Sequence, residues 1–78
     1  MEYQVIDTEF DTVSSTAKTL KRAIFNLSCA TGYEIIKEGS KWKVLHWEDD
    51  EDCAYFTNTR ERAVWEIEYR TGYTIRKA

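Results

Sequence analysis

Few residues in this 78-residue chain have the types and spacing that chemistry needs. His46 is the only histidine and lies between Leu45 and Trp47, in a stretch that reads as a strand. A nucleophilic mechanism needs a base within reach of a Ser or Cys and a third group to orient that base. No such set is spaced around His46. Cys29 and Cys53 share no C-x-x-C spacing, and with His46 they supply three zinc ligands where about four are needed. The run Glu48-Asp49-Asp50-Glu51-Asp52 lacks the alternating ligands, central Gly and terminal Glu of a calcium loop. Three Gly and no Pro leave nothing with which to build a Gly-rich phosphate cradle. These residues predict a protein that is not an enzyme, with no catalytic residue, no metal site and no cofactor.

The same residues have plainer uses. Cys29 falls in a helical stretch and Cys53 in a strand-like one, so both are expected as buried free thiols, with a disulfide or a reactive thiol as the alternatives. The acidic run reads as a solvated hairpin tip. Its five carboxylates would also speed encounter with a basic surface on a protein partner, an effect that salt removes. A net charge of −3 argues against a dedicated phosphate-backbone binder. No apolar run approaches the roughly 18–20 residues of a membrane span. The start Met1-Glu2-Tyr3-Gln4 lacks the basic and apolar regions of a secretory signal. A cytoplasmic protein without a membrane partner is the expectation.

The clearest signal concerns the elements that carry these residues. Residues 19–37 align without a gap on residues 59–77, and eight of the 19 columns are identical: Thr, Arg, Ala, Thr, Gly, Tyr, Ile and Lys. Unrelated segments would match at about one column. Three further columns keep their character: Ile24 with Val64, Phe25 with Trp65 and Leu27 with Ile67. Upstream, Tyr3-Gln4-Val5-Ile6 resembles Trp42-Lys43-Val44-Leu45 at an offset shorter by one residue. The chain therefore reads as a single domain, residues 1–78, built from two repeats of about 1–38 and 39–78.

Within each repeat, apolar residues at helical spacing (Leu20, Ala23, Ile24, Leu27; then Ala63, Val64, Ile67) predict a helix. Ser14, Ser15 or Thr16 is expected to cap the first helix, and Asn58 with Glu61 the second. Gly32 and Gly72 stand where a helix ends in a left-handed residue. Tyr33-Glu34-Ile35 and Tyr73-Thr74-Ile75 then restart with period two, as strands do. Strands over Trp42–Trp47 and Cys53–Thr57 are expected to form a hairpin around the acidic run. Two strand-helix-strand units in series imply a two-layer α+β fold. They resemble the ferredoxin-like arrangement, one antiparallel sheet with two helices on one face. Two ββαβ units are the alternative.

A helix on a one-layer sheet needs only one apolar stripe, yet these two carry more. Turning 100° per residue from Ala63, the residues Val64, Ile67 and Thr71 fall between roughly 40° and 100°. Arg62, Trp65 and Tyr69 fall between roughly 200° and 260°, on the opposite side. Arg22, Phe25 and Cys29 take the same three angles on the first helix. Trp, Tyr and Arg are the residues that most often anchor protein interfaces. Candidate partner-binding residues are therefore Arg62, Trp65, Tyr69, Trp47, Arg22 and Phe25, together with the acidic run Glu48, Asp49, Asp50, Glu51 and Asp52. The expected function is a small protein-binding module that occludes a partner's surface, with a homodimer as an open outcome. Its size, acidity and lack of catalytic motifs are similar to those of the small inhibitor proteins of phages and mobile elements, an analogy at the level of fold alone. The alternative is a single-stranded nucleic-acid-binding domain that stacks bases on sheet aromatics. Against that stand the negative charge and the glutamates among the basic residues of the second helix.

Overall fold

Thr19 and Thr59, the first residues of the aligned stretch, are where extended backbone turns into helix. In the computed structural model, which describes residues 2–78, the order is β1 (Tyr3–Asp7), β2 (Thr12–Ala17), α1 (Leu20–Thr31), β3 (Tyr33–Glu38), β4 (Lys41–His46), β5 (Tyr55–Thr57), α2 (Arg60–Thr71) and β6 (Tyr73–Lys77). A 3-10 turn at Glu51–Cys53 lies between β4 and β5. The Thr19 and Thr59 hydroxyls each accept the backbone N–H three residues on, from Arg22 and Arg62, at 3.1 Å. That satisfies one of the donors every helix start leaves unpaired.

The caps differ from expectation at both helices. Ser14, Ser15 and Thr16 lie within β2, paired with β1. The β-branched residues Thr12, Val13 and Thr16 suit a strand, and the helix begins only after it. At the second helix Thr59 caps in place of Asn58, whose side-chain oxygen instead accepts a hydrogen bond from the Lys41 ammonium. The ends match expectation. Gly32 (φ 83°) and Gly72 (φ 78°) are left-handed, and their N–H groups bond back to the Ser28 and Glu68 carbonyls. Thr31 and Thr71 complete the stop. Each hydroxyl donates to the carbonyl four residues back, at 2.8 Å, and accepts the N–H of the tyrosine that opens the next strand, Tyr33 or Tyr73.

Each half thus runs strand, strand, helix, strand, and the strands form two three-stranded antiparallel sheets instead of the single sheet expected. One sheet has the order β2-β1-β6 and the other β3-β4-β5. Short connections explain the difference. β1 and β2 form one hairpin, and the two residues Gly39 and Ser40 turn β3 straight back onto β4. β3 is therefore taken by the hairpin of the second half, and β6 closes the free side of β1. Each hairpin is completed by the last strand of the other half.

The core is correspondingly built from paired columns of the repeat. Val5 with Val44 and Leu27 with Ile67 are fully buried, together with Ala63. Tyr33, Ile35, Tyr73, Ile75, Trp42 and Val64 pack around them. Truncating Leu27 or Ile67 to Ala at such a site costs about 2–5 kcal/mol. Ile6 on β1 is buried as well, only 3% exposed.

The two helix-end glycines differ in their surroundings. A Cβ on Gly72 would meet only the Thr8 hydroxyl, at 3.6 Å, whereas one on Gly32 would come within 2.5 Å of the Trp47 indole. Both Gly32→Ala and Gly72→Ala should lose about 1–2 kcal/mol, the cost of a left-handed alanine. Only Gly32→Ala should also shift the indole N–H resonance of Trp47 by NMR. Identical spectra for that resonance in the two variants would contradict this packing.

Candidate functional site

The outer stripe of α2 is on the surface. Trp65 is 42% exposed and Tyr69 73%. Their rings stack with centroids 5.1 Å apart at 11°, and the Arg62 guanidinium lies 4.0 Å over the indole. These three residues, at i, i+3 and i+7, form one ladder because helical periodicity brings them onto one face. Glu66 holds the ladder's flank. It pairs with Arg62 at 3.3 Å and with Arg70, whose guanidinium lies 3.9 Å over the Tyr55 ring. The Glu66 carboxylate, more than Tyr55, raises the Arg70 pKa further above its ordinary value, so this cation persists at every accessible pH.

On α1 the same columns are occupied more lightly. Phe25 is 52% exposed, with the Arg22 guanidinium 4.6 Å over its ring, and Cys29 stands where α2 has Tyr69. Cys29 and Cys53 are both exposed free thiols, contrary to the burial expected of them. Cys29 is on the outer stripe, and Cys53 lies in the 3-10 turn, not in a strand. The hairpin around it is shorter than expected, since β4 ends at His46 and β5 starts at Tyr55. Trp47 consequently lies past the end of β4, 69% exposed, with its N–H bonded to the Gly32 carbonyl at 2.9 Å. Phe25, Cys29 and Trp47 border a groove of about 490 Å³ that also takes in Ser28, Glu34 and Ile36.

His46 has a structural setting. Its Nδ1 accepts the Glu48 N–H at 3.1 Å, and its ring meets Tyr33 edge-on at 4.9 Å. Among the described residues no three His, Cys, Asp or Glu side chains are close enough to hold a metal ion. Among the same described residues no helix is long and apolar enough to cross a membrane.

The acidic run does not act as one group. Glu48, Asp49, Asp50, Glu51 and Asp52 are all exposed, but Glu51 reaches back to the Lys43 ammonium at 2.9 Å, which also meets Glu38 at 3.0 Å. Lys43 lies on β4 with Ile36 and Phe56 as its cross-strand neighbours. The hydrogen bonds it donates to Glu51 and then to Glu38 hold its pKa above the ordinary lysine value, against a smaller opposing effect of burial.

Sequence reasoning missed three surface features. Phe10 and Val13 are exposed around the β1–β2 turn, and Ile36 is exposed on β3. Both depended on finding β2 and on knowing which face of β3 is open. The third is an asymmetry between the repeats. The Glu68 carboxylate of α2 accepts from the Ile75 N–H at 2.8 Å and from the Thr74 hydroxyl at 2.9 Å. The aligned residue on α1 is Ser28. That one mismatched column was visible in the alignment, but its meaning depends on where β3 and β6 run.

Compared with known protein families, characterised proteins and solved structures, the chain has no match.

Lys43 generates a pH prediction. Its folded pKa is raised, so the stability it contributes is fully present below the unfolded value, about 10.4, and is lost as pH rises through the folded one. Between about pH 8 and pH 11 the urea midpoint of the parent chain should therefore fall further than that of Lys43→Met. Equal falls would show that the Glu38–Lys43–Glu51 cluster contributes nothing to folding.

Proposed function

We propose that this chain is a non-enzymatic protein-binding module that occludes a partner surface through the outer face of α2. The observation that carries this reading is the Arg62–Trp65–Tyr69 ladder, an exposed aromatic pair stacked and topped by a guanidinium. Three properties support it. Trp, Tyr and Arg are the residue types that dominate binding energy at protein interfaces. Their mutual stacking, with Glu66 bracing Arg62, means that little side-chain entropy is left to lose on binding. The exposed parts of the two rings amount to about 230 Å², so covering them would gain about 6 kcal/mol before association costs.

Exposed carboxylates at Glu48, Asp49, Asp50 and Asp52 favour a partner with a basic rim, since Glu51 is already paired. The nucleic-acid reading draws less support. Lys43, the cation between Ile36 and Phe56 across β3, β4 and β5, is neutralised by two carboxylates.

The test compares the parent chain with Trp65→Ala combined with Tyr69→Ala. Proteins retained from host-cell extract would be identified by native mass spectrometry, and the affinity of the retained partner measured for both chains. The double variant should stay folded by circular dichroism and bind that partner about 100-fold more weakly. A self-complex lost in the same variant would make the partner a second copy. Equal binding by both chains, or affinity for single-stranded nucleic acid that falls steeply with salt, would overturn the reading.

A further inference from the structure

The groove beside β3 lies along the unpaired side of an edge strand. β3 pairs only with β4, in the order β3-β4-β5. The hydrogen bond from the Trp47 N–H to the Gly32 carbonyl sets the alternation along the ladder. Gly32, Glu34, Ile36 and Glu38 then face β4, while Tyr33, Ile35 and Lys37 turn their N–H and C=O groups away from it. The Tyr33 N–H is taken by the Thr31 hydroxyl. No side chain among the described residues accepts from Ile35.

The other half of the chain supplies an internal control. On β6 the same alternation turns the Ile75 N–H outward, and there the Glu68 carboxylate closes it. At the position on α1 that aligns with Glu68 the residue is Ser28, and the space it leaves is the groove. One edge is clasped by its own helix. The other is open above an apolar floor.

We propose that this open edge binds an extended segment of a partner protein, which adds to β3 as a further strand and in which apolar residues alternate with Lys or Arg. Outward backbone groups at Ile35 and Lys37 supply the ladder bonds that strand addition needs. Alternate side chains of the added strand point to opposite faces. Those on the α1 side meet Phe25 and Cys29 in the groove, and those on the other side meet Glu34, Ile36 and Trp47, which also line it. Glu34 is the one charged residue of the groove lining, and Trp47 leads directly into Glu48-Asp49-Asp50. That rim complements a basic strand and repels a second copy of this chain, whose net charge is −3. The site uses α1 and β3 and stands whether or not the α2 ladder binds a partner.

A displayed library of random nine-residue peptides, selected on the whole chain, tests this. The most enriched peptide would then be synthesised with blocked ends. Enriched sequences should alternate apolar residues with Lys or Arg. The synthetic peptide should slow amide exchange at Ile35 and Lys37 by tenfold or more, and slow alkylation of Cys29 in a Cys53→Ser background. Ser28→Glu, which installs the Glu68 arrangement on α1, should weaken the peptide tenfold or more. If that variant fails to fold, Ile36→Lys on the exposed side of the same strand should do so instead. The proposal is overturned if no peptide is enriched, if the enriched peptides are acidic or follow helical spacing, if exchange at Ile35 and Lys37 is unchanged, or if the folded variant binds equally well. Protection of those amides that rises with protein concentration and needs no peptide would also overturn it, because the occupant would then be a second copy.

Discussion

The structure depends on the hand-over from helix to strand at Gly32 and Gly72. A left-handed residue there stops the helix, and the preceding threonine ties the helix carbonyl to the first N–H of the next strand. The emerging strand is thereby aimed away from its own hairpin and into the other one. Neither hairpin has three strands without the other half, and the buried residues Val5, Leu27, Val44 and Ile67 come equally from both. A lone two-stranded hairpin is marginal in water, whereas three strands with a covered face are stable. The exchange therefore accounts both for the two sheets and for the repetition of the core.

Repetition makes the departures from it informative. The two helices occupy equivalent places in the repeat, so a change of residue type on an outer face changes the surface and leaves the fold alone. Phe25 and Cys29 against Trp65 and Tyr69 is one such change, Ser28 against Glu68 another. On α2 the outer face carries the stacked ladder, and its inner end clasps the β6 edge. On α1 the outer face is thinner and the edge of β3 is left with a groove. One scaffold thus presents two different faces, each arising from a substitution that keeps the backbone.

Much of this was legible in the residues themselves. Helical spacing located both helices and their outer stripes, since the angle between Ala63 and Trp65 follows from helix geometry alone. Thr-Gly-Tyr located the stops for a similarly local reason. Strand pairing is not local, and there the reading ran out. Thr12–Ala17 has no apolar alternation to mark it as β2, and its serines and threonine also suit a helix cap. Nothing within Tyr33–Lys37 states whether its partner is β1 or β4. The two-residue turn at Gly39-Ser40 settles that only when weighed against the crossover α1 would otherwise make. Burial of the cysteines failed because it was inferred from residue type, although Cys29 falls on the same wheel angle as Tyr69.

Cross-strand NMR contacts test the exchange of strands most directly. In antiparallel pairs not joined by hydrogen bonds, the Cα atoms approach to about 4.5 Å, close enough for their α-protons to give a strong nuclear Overhauser effect. Such contacts are expected between Val5 and Ile75 and between Ile35 and Val44. Contacts placing β1 beside β3 as parallel neighbours, with none between β1 and β6, would contradict it.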